Sequence, residues 1–302
     1  VVEALLKKRE SQIRKVLVYT LGLNLFVAVI KIIAGQKFHY LSLSSSGLES
    51  LFDGSSNVIS LIAITLAAKP GDKKHNYGHH KHETLGSLFI AGLLFTSALQ
   101  LAFEYKEVIL ENKMVTGEFG IVPIVTILVS MAVSFFVSTY ERREGERLKS
   151  SLLLADSSHT FGDMILSIGV LISIICSKFG WFWPDILIGT GIILYLIYMA
   201  INILRNNLDD LMDASPEIER KILDEIESME NVRNVHKFRA RGNSNWMQVD
   251  FHMLLEPSLS LVEAHDISHK AEDLLKSHLK GYCNHIDVTI HIEPFEKEHT
   301  DP

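Results

Sequence analysis

The chain has 302 residues, 47% of them hydrophobic and only 22% charged, with the apolar residues gathered into long runs over the first two thirds. That distribution marks an integral membrane protein. The formal net charge of −7, with acidic residues concentrated after Leu208, excludes nucleic acid as an expected partner, and the two cysteines, Cys176 and Cys283, form no CxxC pair, so neither a disulfide framework nor a thiolate zinc knuckle is predicted.

The first fifteen residues are charged and amphipathic and lack the short apolar core and cleavage site of a secretory signal. Six segments then follow that satisfy the roughly 20 residues needed to cross a hydrocarbon core: residues 16–34, 43–68, 84–107, 119–140, 152–179 and 184–206. The second and fifth carry ionisable groups deep inside and are rich in Ser and Gly, so they are expected to pack closely against each other in the middle of the bundle. Lys and Arg set the orientation. The N-terminal segment (Lys7, Lys8, Arg9, Arg14, Lys15), the second loop (Lys69, Lys73, Lys74, Lys81) and the fourth loop (Arg142, Arg143, Arg147, Lys149) are the basic ones, which puts them and both termini in the cytoplasm.

After Asn206 the composition changes. Residues 208–216 read as a helix end and linker, with Ser215 the N-cap and Pro216 the first position of the next helix. Apolar residues at helical spacing over 216–230 and 261–279, and alternation over 232–240, 246–255 and 287–292, predict the order α-β-β-α-β, a small α+β domain with its helices on one face of a three-stranded sheet. The domains are therefore 1–208, a six-helix transmembrane bundle, and 209–302, a cytoplasmic α+β domain of about 85–95 residues that a dimer would help to stabilise.

The chemistry is concentrated in the second and fifth spans. Glu49 and Asp53 stand at i and i+4, hence on one helix face roughly 5–6 Å apart at Cβ, and His159 and Asp163 repeat the spacing. An acid near the bilayer centre costs at least about 2.5–3.5 kcal/mol on insertion scales, so two on one face need a compensating role, most simply a cation. The plainer alternative, acids paired with a basic residue, lacks a partner within these two spans, whose cores hold no Lys or Arg. Three carboxylates and one imidazole suit Zn²⁺ and other divalent transition metals, whereas Mg²⁺ and Ca²⁺ favour oxygen alone.

Two further groups of metal-ligating residues lie outside the spans. The cytoplasmic loop 72–83 is dense in His, with Asp72, His75 and His79 at the better spacing. The soluble domain carries His236, Asp250, His252, His265, His291 and Glu293, of which Asp250 with His252, and His291 with Glu293, share a strand face. His269, His278, His285 and His299 are expected to be ordinary surface residues. No H-E-x-x-H and no P-loop is present, so neither an intramembrane metalloprotease nor an ATP-driven pump is indicated, and no enzymatic activity is expected.

Six spans, the paired Glu-x3-Asp and His-x3-Asp, the loop from Pro70 to Glu83 and the C-terminal α+β domain together resemble the cation diffusion facilitator family of zinc and related metal exporters. The resemblance implies a homodimer, in a bacterial inner membrane, with a metallochaperone-like cytoplasmic domain, exchanging a divalent cation for protons. It implies a transport site at Glu49, Asp53, His159 and Asp163, a loop site at Asp72, His75 and His79, and a cytoplasmic site at His236, Asp250, His265, His291 and Glu293. Lys81 and Asp213 match its charge pair at the membrane–cytoplasm junction. Glu49 stands where that family has Asp or His, which leaves Fe²⁺ and Cd²⁺ as competitors of Zn²⁺, and His252 is the substitute for Asp250. Two other functions use the same residues: a membrane-anchored metal sensor, which leaves the intramembrane quartet idle, and a passive cation channel.

Overall fold

In the computed structural model the described residues are 2–38, 41–111, 120–179, 182–216 and 218–296; within the helices several side chains, those of Glu49 and Asp53 among them, lie outside the described set, as does all of His299. The chain divides into two units, Val1–Leu208 and Asp209–Pro302.

The first unit is built of six long helices: α1 (Val2–Phe38), α2 (Leu41–Ala67), α3 (Lys81–Glu111), α4 (Ile121–Leu148), α5 (Ser151–Phe179) and α6 (Phe182–Leu211). Segments of four of them, Lys7–Lys37, Lys81–Phe103, Ile121–Leu148 and Ile186–Leu211, are long and apolar enough to cross a membrane. In α2 the described stretch Gly54–Ala67 is a shorter apolar segment. Large apolar side chains on the outer surface, such as Phe26, Phe103, Leu187 and Leu194, are exposed, while Leu17, Ile90, Leu94, Leu152 and Leu196 are sealed inside. Outward apolar faces around an apolar interior are what lipid as solvent requires.

Small residues set the closest approaches. A Cβ on Gly47 of α2 would meet the backbone nitrogen of Ile32 at 2.8 Å, and one on Gly86 of α3 would meet the Ala63 Cβ at 2.6 Å. The glycine of α2 is therefore spent on α1, whereas α2 meets α5 through hydrogen bonds: Ser56 Oγ and Asn57 Nδ2 donate to the two carboxylate oxygens of Asp156, at 3.0 and 2.8 Å.

The first helix begins well before the apolar run that predicted it, because Arg9 has a built receptor. Its guanidinium makes a bidentate pair with Glu83 at the start of α3 (2.9 and 3.0 Å) and donates to the carbonyls of Leu148 and Lys149 at the end of α4. Glu83 also accepts from Ser150 Oγ. One carboxylate thus locks three helix ends together, with the two side chains only 13% and 6% exposed.

The second unit contains α7 (Arg220–Glu227), β1 (Val232–Gly242), β2 (Trp246–Leu255), α8 (Leu261–Leu279) and β3 (His285–Pro294). The sheet order is β1-β2-β3, antiparallel between β1 and β2 and parallel between β2 and β3, so α8 is the crossover. Met247, Val249, Phe251 and Met253 of β2 face Ile222 and Ile226 of α7 and Ala271 and Leu275 of α8 in one core. Neither Ser215 nor Pro216 begins the helix. α7 starts at Arg220 behind Glu219, since only Ile222 and Ile226, one turn apart, must be held on a core-facing helix. Ser260 and Glu263 form a capping box at the start of α8.

Strand β1 is not regular. Lys237 adopts φ of 50°, and the register slips between His236 and Arg239. The extra residue is a β-bulge, and it lets Val235 and Phe238 both pack on the core while His236 and Arg239 pair with His252 and Asp250 of β2. Without the slip, strict alternation would aim one of each pair to the wrong face.

Candidate metal sites

In the first unit, His159 and Asp163 sit one turn apart on α5, with His159 Nδ1 3.4 Å from Asp163 Oδ2. Two ligands bound at about 2.0–2.1 Å to one tetrahedral ion lie roughly 3.4 Å apart, so the spacing is that of two arms of one site. The pair lines a small polar cavity with Asn24 and Lys31 of α1, Ser50 and Ser56 of α2 and Ser130 and Ser134 of α4. Glu49 and Asp53 occupy helix α2 on either side of Ser50, and their side chains lie outside the described residues.

Lys31 is the residue that sequence reasoning passed over. Its side chain is buried, and Nζ donates to Ser50 Oγ at 2.9 Å. The cores of α2 and α5 hold no basic residue, as expected, but the neighbouring helix brings one to the same cavity. Its signal in the sequence is a single Lys inside the apolar run from Val27 to Ala34. A second unforeseen feature is a chain of buried polar side chains next to it. Asn24 Nδ2 donates to Asn57 Oδ1 at 3.1 Å, Asn57 passes to Asp156, and Thr20 accepts from Asn57 at 3.4 Å.

The loop site is compact. Asp72 Oδ1 accepts the backbone N–H groups of Lys74 and His75 at 2.8 and 2.7 Å, and these two bonds, His75 first, hold its carboxyl below the usual range. His75 Nδ1 and His79 Nε2 each lie 3.4 Å from one of its oxygens. His79 Nδ1 faces the Pro70 carbonyl at 3.2 Å, and since a carbonyl only accepts, the proton is on Nδ1 and Nε2 is left as a ligand. Gly71 makes the turn possible, because a Cβ there would meet the Asn76 carbonyl oxygen at 2.5 Å. The three donor atoms converge within 4.8 Å.

On the sheet of the second unit, His236, His252 and His291 stand opposite one another across β1, β2 and β3. Glu293 is their common partner: its carboxylate lies 2.7 Å from His252 Nδ1, 3.3 Å from His291 Nε2 and 3.7 Å from His236 Nε2. The His252 hydrogen bond is the largest influence holding its carboxyl below the usual range. His236, His252 and Glu293 bring their donor atoms within 4.8 Å. Asp250, by contrast, is engaged by Arg239, so on this strand His252 is the residue that faces the group. His265 also stands apart, on α8, with its Nε2 3.1 Å from His269 Nε2. Of the charge pair, Asp213 accepts from Arg241 Nη1 at 3.2 Å within its own unit, and Lys81 opens α3 in the other.

Comparison with known proteins bears on the whole length. Residues 17–212 match the cation efflux transmembrane domain, and residues 214–295 match the cation efflux protein cytoplasmic domain. An uncharacterized transporter of Methanocaldococcus jannaschii is 28% identical over 92% of this chain and 99% of its own. The manganese efflux system protein MneS of Bacillus subtilis is 28% identical over 97% and 98%, and the cation-efflux pump FieF of Shewanella oneidensis 28% over 91% and 92%. An acid–His pair among long apolar helices, two further His–carboxylate groups and matched domains over nearly the full length agree: the chain is a member of the cation diffusion facilitator family of divalent cation efflux transporters.

Proposed function

We propose that the protein exports a divalent transition metal, with Zn²⁺ preferred, from the cytoplasm in exchange for protons, as a homodimer whose six long helices all cross the membrane and whose termini are cytoplasmic. The observation that carries this is the His159–Asp163 pair at ligand spacing, lining a polar cavity among apolar helices. Glu49 and Asp53 complete the quartet. Three ionised carboxylates against the one ammonium of Lys31 leave two negative charges, which a divalent cation neutralises. Ligands bind metal only when unprotonated, so protons arriving from the far side expel the ion, and rocking of the helices exposes the cavity to each side in turn.

Asp72, His75 and His79 are assigned to capture of the ion at the cytoplasmic loop. His236, His252, His291 and Glu293, joined by Asp250 and His265 when metal rearranges them, are assigned to the regulatory site of the soluble domain, and Lys81 with Asp213 to the charge pair that steadies the dimer. The sensor and channel alternatives account for fewer of these features, since neither uses a quartet that must lose its protons to bind.

The choice of metal rests on His159. Imidazole suits Zn²⁺ and Fe²⁺ better than Mn²⁺, for which oxygen suffices, and one relative is named for manganese efflux; the longer arm of Glu49 leaves Fe²⁺ and Cd²⁺ as competitors. Initial flux of Zn²⁺ and Mn²⁺ into proteoliposomes under one pH gradient should favour Zn²⁺. His159→Asp should shift the ratio toward Mn²⁺ by about tenfold or more, the scale on which metal-site changes act. Equal flux in wild type, or an unchanged ratio in the variant, removes His159 as the selectivity ligand.

A further inference from the structure

Glu141 is completely buried on α4, and neither of its carboxylate oxygens has a well-formed hydrogen bond among the described residues, because the donors beside it, Thr20 Oγ1 and Asn57 Nδ2, are given to the Leu17 carbonyl and to Asp156. Its polar neighbours are Asp156, Thr20, Asn57 and His159. Asp156, also completely buried, accepts from Ser56 on one oxygen and Asn57 on the other. Glu141 donates to nothing, as a protonated acid facing a carboxylate would. Two buried carboxyl groups from different helices are thus electrostatic neighbours around Asn57, an arrangement that is costly unless a positive charge joins it.

We propose that Glu141 and Asp156 form a second divalent-cation position, which holds the metal between the cytoplasm and the His159–Asp163 pair. The proposal rests on the transport function given above. Asp156 lies one turn before His159, on the side of Ser150 and Ser151 where α4 returns into α5, and that turn is the one expected in the cytoplasm. Ser56 connects the two positions, since it donates to Asp156 and also lines the cavity of His159 and Asp163. The donors at the inner position are oxygens alone: two carboxylates, with the Thr20 hydroxyl beside them. An oxygen-only set holds a borderline metal less tightly than one containing imidazole. An ion entering there is drawn onward to His159.

The test is a count of bound ions. Glu141→Gln keeps the size of the side chain and gives Asp156 an amide donor in place of a facing charge, so the fold is spared. Zn²⁺ bound to the detergent-solubilised full-length protein at saturation should fall by one ion per protomer relative to wild type. The Zn²⁺ concentration giving half-maximal flux in proteoliposomes should rise by about tenfold or more. Asp156→Asn, checked by size exclusion, should lose the same ion. An unchanged ion count in both variants overturns the proposal. So does an unchanged count accompanied by fewer protons released on metal binding, which makes the two carboxyls a proton-holding pair. If wild type itself moves no metal, transport fails as the function, and the ion count still decides the inner position.

Discussion

Asp163→Ala is expected to reduce metal flux to the background of empty vesicles while the protein still inserts and purifies with a wild-type size-exclusion profile. The Asp163 carboxylate lies beside His159 at 3.4 Å, and Ser167 Oγ bonds the backbone carbonyl of Asp163 and not its side chain. The alanine therefore removes a ligand without removing a helix contact. An apolar side chain costs nothing to insert. The loss should exceed the roughly 10–100-fold typical of changes one shell farther from a metal. Flux within a few-fold of wild type would remove Asp163 from the transport site.

The largest effect on stability is expected from Glu83→Ala. It strands the Arg9 guanidinium in a pocket where the pair is nearly inaccessible, and removing one partner of a buried pair costs about 3–5 kcal/mol. Three helix ends lose their common acceptor at once, because Ser150 donates to the same carboxylate. Thermal unfolding in detergent should show a large fall in the midpoint for Glu83→Ala, and a smaller one for Arg9→Met with Glu83→Leu, which removes both charges. The double variant should not recover fully, because the Leu148 and Lys149 carbonyls still lose the Arg9 donors. A midpoint unchanged in Glu83→Ala would mean that the cluster is solvated and not a lock.

Much of this was legible in the residues. Long apolar runs announce their helices, and an i,i+4 pair of polar ligands inside such a run marks a candidate site, because charge in hydrocarbon is costly. The strand faces of the soluble domain were legible for β2 and β3, where alternation holds. They were obscured in β1 by one residue of bulge at Lys237, which no alternation rule predicts. What stayed hidden is what depends on neighbours. Lys31 resembles a helix-end lysine until α2 is packed beside it. Glu141 begins the charged run Glu141–Arg142–Arg143 and looks like the first residue of a loop, whereas α4 continues to Leu148 and buries it. Arg9 was counted only for its charge, and its receptor is assembled from residues more than 70 positions away.

Coupling of metal to protons tests the account most directly. Purified protein in vesicles loaded with a pH-sensitive dye and a metal-sensitive dye should show, on addition of external Zn²⁺ with no imposed gradient, Zn²⁺ entering as protons leave in fixed ratio. An acidic lumen should accelerate Zn²⁺ entry, and Asp163→Ala should abolish both signals together. Zn²⁺ entry that proceeds at the same rate whatever the pH difference, with no proton movement, would contradict exchange and leave a passive pore.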